Sequence, residues 1–148
     1  MPRDGHILLV EDSPQDVELI MLALKEGKVV NHIDVVKDGP EALAYLTGRG
    51  DHAGRDLPSV VLLDINLPKM SGLDVLKEIR ANLRTRHVPV VMLTSSRQQE
   101  DMLRSYDLGA NSFVRKPVEF DKLVDAMQQL RLYWLLLNEL PYGEAAGG

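Results

Sequence analysis

Five short apolar runs, each followed by a longer amphipathic stretch, constrain the fold of this chain more than any other feature. The runs are Ile7–Val10, Ile33–Val36, Val60–Leu63, Val90–Leu93 and Ser112–Val114. Short runs nearly continuous in Val, Ile and Leu suit strands buried on both faces, and hence a parallel sheet covered by crossover helices. Helix starts lie between them. Ser13-Pro14-Gln15-Asp16 offers an N-cap, a proline at the first helical position and an acid in the first turn. Val17, Ile20, Met21 and Leu24 follow at helical spacing. Asp38-Gly39-Pro40-Glu41 opens a second helix, with Ala42, Leu43 and Leu46 on its apolar side. Ser71-Gly72-Leu73-Asp74 opens a third, with Val75, Leu76 and Ile79. Ser96 and Gln99 have the capping-box spacing and open a fourth, which Gly109 is expected to close. A fifth helix is expected from about Glu119 to Leu137. Five βα units predict a doubly wound α/β domain with a five-stranded parallel sheet and five helices.

Composition removes several function classes. The 148 residues fit one domain, and no linker or repeat interrupts them. With no cysteine, disulfides, thiolate chemistry and Cys-bound zinc are excluded. The 17 basic and 22 acidic residues leave a net charge of −5, opposite in sign to that of most nucleic-acid binders, so no direct nucleic-acid partner is expected. No apolar run approaches the roughly 20 residues that span a bilayer. The start, Met1 to His6, carries acid where a signal peptide needs basic and then apolar residues. A cytoplasmic protein is the expectation. The polar, Gly-rich segment Thr47–Pro58 is long for a connection and reads first as a tolerated surface insertion. Gly143 to Gly148 reads as a frayed end.

Open α/β sheets bind ligands beyond the C-terminal ends of their strands. The first run ends in Glu11-Asp12, the third in Asp64, the fourth in Thr94 and the fifth is followed by Lys116-Pro117. Three carboxylates, a hydroxyl and an ammonium thus fall at one edge of the sheet. Clustered carboxylates repel unless a cation joins them. A hard divalent ion such as Mg²⁺ takes oxygen ligands, keeps several waters and pairs with phosphoryl groups. An Asp carboxylate can itself act as the nucleophile and become an acyl phosphate.

Glu11-Asp12, Asp64-Ile65-Asn66-Leu67-Pro68, Ser71-Gly72, Thr94 and Lys116-Pro117 resemble the receiver domain of two-component response regulators, over Ile7 to about Leu130. The resemblance implies a flavodoxin-like, CheY-like fold with strand order 2-1-3-4-5. It makes the domain 5–137, followed by a C-terminal tail, 138–148. It makes Asp64 the phosphoacceptor. Glu11, Asp12, Asp64 and the main-chain carbonyl of Asn66 become ligands of Mg²⁺. Thr94 and Lys116 contact the phosphoryl oxygens, Thr94 and Phe113 form the switch, and Pro117 follows a cis bond. Asn66 and Ser96 fall beside the phosphoryl group, although the spacing of Ser96 makes it a helix cap first. The partner is a sensor histidine kinase. The long loop Thr47–Pro58, the Asp64-Ile65-Asn66-Leu67-Pro68 motif and an apolar extension of the last helix bring the chain nearest to the single-domain regulators that serve bacterial phytochromes.

Two other classes share parts of this pattern. Phosphatases with an Asp nucleophile carry a second acid two residues on, where this chain has Asn66. Flavin modules of this fold need a phosphate-cradling loop after the first strand, where Glu11 and Asp12 would repel phosphate. His6, His32, His52 and His87 show no metal-ligand spacing, and Met70 and Met92 read as packing residues. Few residues follow Lys116, so output is expected through protein contact or onward phosphotransfer rather than a DNA-binding domain. Finally, Leu132-Tyr133-Trp134-Leu135-Leu136-Leu137 places apolar residues on every side of a helix, of which one sheet can cover only one side. This predicts a homodimer through the last helix, with Trp134 and Tyr133 at its interface. The competing reading has Pro141-Tyr142 fold back over the patch.

Overall fold

The computed structural model describes residues 5–54, 56–110, 112–115 and 120–141, with the side chains of all of these except 51, 105, 112 and 133–141. Strands β1 (Ile7–Val10), β2 (Ile33–Val36), β3 (Val60–Asp64), β4 (Val90–Thr94) and β5 (Ser112–Arg115) alternate with helices α1 (Pro14–Glu26), α2 (Gly39–Thr47), α3 (Gly72–Ala81), α4 (Arg97–Ser105) and α5 (Phe120–Pro141). The sheet order is β2-β1-β3-β4-β5, and every pairing is parallel. This is the five-stranded order expected from the sequence.

Residue alternation along each strand builds two cores. Leu8, Val10, Val61, Leu63, Val90 and Met92 face a layer closed by α2, α3 and α4 through Leu46, Leu76, Ile79 and Leu103. Ile7, Leu9, Val60, Leu62, Val91 and Leu93 face the opposite layer, closed by α1 and α5 through Ile20, Leu24, Leu123 and Met127. Burial on both faces is why the strands read as unbroken apolar runs. Each fully buried side chain contributes roughly 1.5–3 kcal/mol, so the two layers hold the strand ends rigidly.

Four helices start where the caps were expected. The Ser13 hydroxyl accepts from the Asp16 N–H (3.2 Å), Asp38 from Glu41 (2.8 Å), Ser71 from Asp74 (3.2 Å) and Ser96 from Gln99 (3.2 Å). The Glu41 N–H holds the Asp38 carboxyl below its usual range, against the opposing effect of burial and with help from Lys69, whose ammonium lies 3.2 Å away. That ion pair ties the start of α2 to the loop after β3.

Three features differ from expectation. Gly109 does not cap α4. The helix ends at Ser105 with Tyr106 as its cap, and Asp107 takes the left-handed conformation (φ 51°) that its short polar side chain tolerates. Gly109 (φ 70°) turns the chain toward β5 instead, and its carbonyl accepts from Arg80 (2.7 Å). Helix α5 continues past its expected end at Leu137 to Pro141, since no residue before Pro141 lacks an N–H to donate. The Thr47–Pro58 segment contains a single 3₁₀ turn, Gly50–His52. The His52 ring packs on Tyr45 with centroids 5.1 Å apart, and Leu57 packs against the core, so the insertion is anchored at both points. Tyr45 also meets the ring of His6 (6.2 Å) and donates to Asp34 (2.6 Å).

Candidate functional site

The parallel register brings the C-terminal ends of β1, β3 and β4 to one edge. Val10 pairs with Leu63, and Asp64 pairs with Leu93. Glu11-Asp12, Asp64 and Thr94 therefore leave the sheet side by side. Carboxylate oxygens of Glu11, Asp12 and Asp64 lie within 4.8 Å of one another, the one such group among the described residues that could hold a metal ion. No histidine belongs to it. Glu11 and Asp64 are buried, and Asp12 is exposed. The Ser13 N–H donates to Glu11 Oε2 (3.3 Å) and the Asn66 N–H to Asp64 Oδ1 (3.2 Å). These bonds orient two of the three carboxylates.

Such a set repels itself unless a cation is shared, and its donors are all hard oxygens. It fits Mg²⁺, which Glu11, Asp12 and Asp64 would hold, with Asp12 open to solvent. The three acids line a cleft of about 330 Å³ together with Asn66 and Ser95. Thr94 is completely buried, and its hydroxyl oxygen has no hydrogen-bond partner among the described residues. Buried hydroxyls are almost always paired, so the lack of a partner among the described residues marks Thr94 as a candidate contact for a bound group.

Helix α3 fixes the floor. The Gly72 N–H donates to the Ile65 carbonyl (2.8 Å). A Cβ at Gly72 would collide with the Asp64 carbonyl oxygen and the Ile65 Cα. Only glycine lets the start of α3 press against the backbone that carries Asp64.

Phe113 lies on β5, partly buried against the α2–α4 core, with the Arg104 guanidinium 4.2 Å above its ring. Glu100 binds Arg115 at 3.4 Å and reaches Arg104 at 4.0 Å, so α4 and β5 are joined by charge as well as packing. Lys116 and Pro117 lie outside the described residues. Tyr133 and Trp134 lie on α5, with side chains outside the description.

The family resemblance places Ser96 beside the phosphoryl group, and its spacing makes it a helix cap first. Ser96 caps α4, and its neighbour Ser95 lines the cleft. The Asn66 amide donates to Ser95 Oγ (3.0 Å), the Ser95 N–H donates to Gln99 Oε1 (2.6 Å), and Gln99 Nε2 donates to Asn66 Oδ1 (3.3 Å). Neither Ser95 nor Gln99 was singled out for the site. Strand register holds the signal: Asn66 and Ser95 stand equally far beyond the paired residues Asp64 and Leu93.

Residues 7–128 match the model of the response regulator receiver domain. The chain belongs to the response regulator receiver family. Receivers are the signalling domains of two-component systems, and the acidic pocket of this one fits Mg²⁺ and a phosphorylated aspartate. This receiver is 36% identical to response regulator Rcp1 of Synechocystis sp., over 91% of its own length and 92% of the relative's. It is 40% identical to the probable methanogenesis regulatory protein FilR2 of Methanothrix harundinacea, covering 91% and 86%. Among solved structures it resembles the bacteriophytochrome response regulator AtBRR, at 49% identity and a TM-score of 0.76, covering 88% of this chain and 94% of that one. The phosphorylated cyanobacterial phytochrome response regulator RcpA gives 37% identity and a TM-score of 0.78, with the same coverage. Rcp1 has also been solved in a Mn²⁺-bound form. Among the described residues, no helix of this receiver is long and apolar enough to cross a membrane.

Proposed function

We propose that Asp64 accepts a phosphoryl group from the phosphohistidine of a partner sensor kinase. An Asp64 carboxylate oxygen forms a bond to phosphorus as the phosphorus–nitrogen bond to the kinase histidine breaks, leaving an acyl phosphate on Asp64 and a neutral imidazole after proton uptake. Glu11, Asp12, Asp64 and the main-chain carbonyl of Asn66 hold the metal. When bound, Mg²⁺ supplies the positive charge that offsets the incoming phosphoryl oxygens. The Thr94 hydroxyl then finds its missing partner in a phosphoryl oxygen, and Lys116 pairs with another. The observation that carries this reading is the meeting of Glu11, Asp12 and Asp64 at the strand ends. Water later removes the phosphoryl group as inorganic phosphate and restores the carboxylate, so the chain is an acceptor with slow self-hydrolysis.

The signal leaves through the α4–β5–α5 face. Drawing Thr94 toward the phosphoryl group opens room in which Phe113 turns inward, a population shift between two packings. The likeness to regulators named for bacterial and cyanobacterial phytochromes supports a phytochrome-type histidine kinase in the cytoplasm as the donor. Output passes to a protein partner or a further phosphotransfer step. A second copy of the chain joins through α5. That helix is continuous to Pro141, its first half is buried against the sheet through Leu123 and Met127, and Leu132 is already exposed where the apolar run begins.

The test uses a small phosphodonor such as acetyl phosphate. Phosphorylation is expected with Mg²⁺ and lost in excess chelator. Lys116→Ala should still accept phosphoryl, because nucleophile and metal ligands remain, yet give no phosphorylation-dependent change in amide exchange of α4 and β5. Labelling that persists in chelator would overturn the metal site, and an unchanged structural response in Lys116→Ala would remove that residue from the switch.

A further inference from the structure

The cleft has a polar mouth that the phosphoacceptor reading leaves without a role. Asn66, Ser95 and Gln99 close a three-membered hydrogen-bonded ring across it. One member stands just after Asp64, one just after Thr94, and the third in the first turn of α4. Each side chain uses its groups in one sense only. One N–H of the Asn66 NH₂ goes to Ser95 and one lone pair of its carbonyl to Gln99, while the Gln99 carbonyl accepts the Ser95 N–H, so the plane of the Asn66 amide is fixed. The Asn66 backbone N–H meanwhile holds Asp64 Oδ1. Asn66 and Ser95 are exposed and line the cleft, so solvent reaching Asp64 passes an amide whose orientation another residue dictates.

We infer that Gln99 is a positioning residue that locks the Asn66 side-chain amide toward Ser95, and so slows attack of water on the phosphorylated Asp64. The inference rests on Asp64 being the phosphoacceptor. Hydrolysis forms a bond from the water oxygen to phosphorus and breaks the bond from phosphorus to the Asp64 oxygen. One water proton leaves with the inorganic phosphate and the other goes to solvent. An Asn66 amide released from the ring has both an acceptor and two donors free at the cleft mouth, where it can hold the attacking water. Locked in the ring, its Ser95-facing N–H and one carbonyl lone pair are taken and its amide plane cannot turn to the attacking water. Gln99 acts only through Asn66. It is not itself a metal ligand or a phosphoryl contact in this arrangement.

A kinetic double-mutant cycle tests this on the full chain. Wild type, Gln99→Ala, Asn66→Ala and the double variant are phosphorylated with acetyl phosphate and Mg²⁺. Loss of phosphoryl is followed after the donor is removed, by intact mass and by released phosphate. Gln99→Ala is expected to speed dephosphorylation by about two- to tenfold, the effect of one net hydrogen bond. The rate of phosphorylation should stay within about twofold, since one unmade bond outside the reacting atoms is at stake. In the Asn66→Ala background the same Gln99 change should have no effect, because its target is gone. Thermal unfolding separates this from loss of the α4 cap: the Ser96 bond to the backbone N–H of residue 99 survives in Gln99→Ala, so the helix start should stay folded and a faster dephosphorylation cannot be put down to unfolding. A Gln99 effect that survives without Asn66, or an unchanged rate in Gln99→Ala, would overturn the positioning role alone. No phosphoryl on Asp64 in wild type would overturn the phosphoacceptor reading and this inference with it.

Discussion

Thr94 carries a hydroxyl that is wholly buried and unpaired among the described residues. A buried donor left without a partner costs about 1–3 kcal/mol, and in the proposed function a phosphoryl oxygen on Asp64 supplies that partner. Thr94→Val removes the hydroxyl and keeps the branched shape. It should raise the unfolding free energy by about 1 kcal/mol in a denaturant titration. The same variant should lose most of its phosphorylation-dependent response. A destabilised Thr94→Val would mean that the hydroxyl is satisfied in the free state. Arg80 shows the opposite design. Burial pulls its guanidinium below the ordinary value, yet it makes four hydrogen bonds, donating to the carbonyls of Val88 (2.8 Å), Leu108 (2.8 Å), Gly109 (2.7 Å) and Arg86 (3.2 Å). It fastens the end of α3 to the loops on either side of β4 and α4, far from the acids. Among the described residues Thr94 has no partner at the site, while Arg80 makes four bonds at the other end of β4.

Among the elements, α3 and α5 carry the most consequence for function. Gly72 sits where α3 meets the backbone of Asp64 and Ile65, and the atoms a Cβ would strike are main-chain atoms that cannot swing away. Gly72→Ala should therefore lower stability by about 1–3 kcal/mol, the usual cost of overpacking, and slow phosphorylation by moving Asp64. Unfolding titration and labelling rate, measured together, check it. A stable Gly72→Ala with normal labelling would show that the strand end is softer than its packing implies. Helix α5 raises the question of assembly. Two copies that bury a few apolar side chains each gain roughly 1.5–3 kcal/mol per side chain, enough to offset the entropy lost on association. Sedimentation at micromolar concentration should give a dimer, and Trp134→Glu should give a monomer. A wild-type monomer, unaltered by that substitution or by phosphorylation, would show that the chain covers its own patch.

At the scale of the whole molecule, what could be read from the sequence was whatever is written locally. The caps at Ser13, Asp38, Ser71 and Ser96 act across three residues, so a short window reveals them. Double-sided burial wrote the strands as apolar runs, and the rule that ligands gather at parallel strand ends turned Glu11, Asp12, Asp64 and Thr94 into one site. Features set by distant partners were not legible. The Asn66–Ser95 and Asn66–Gln99 bonds join residues about thirty positions apart, and only strand register brings them together. Gly109 was read as a helix cap because glycine is the usual left-handed residue, yet Asp107 takes that conformation first and Gly109 serves the next turn. Asn138 to Leu140 contain no helix breaker, so α5 runs on through them beyond the last residue of the apolar run.

The central claim is that Asp64, among three neighbouring carboxylates, is the one that becomes phosphorylated. Intact-mass spectrometry after incubation with acetyl phosphate and Mg²⁺ tests it most directly, with wild type and Asp64→Asn run side by side. Wild type should gain the mass of one phosphoryl group, and Asp64→Asn should gain none while keeping its fold. Full phosphorylation of Asp64→Asn would contradict the assignment and shift the acceptor to another residue of the chain.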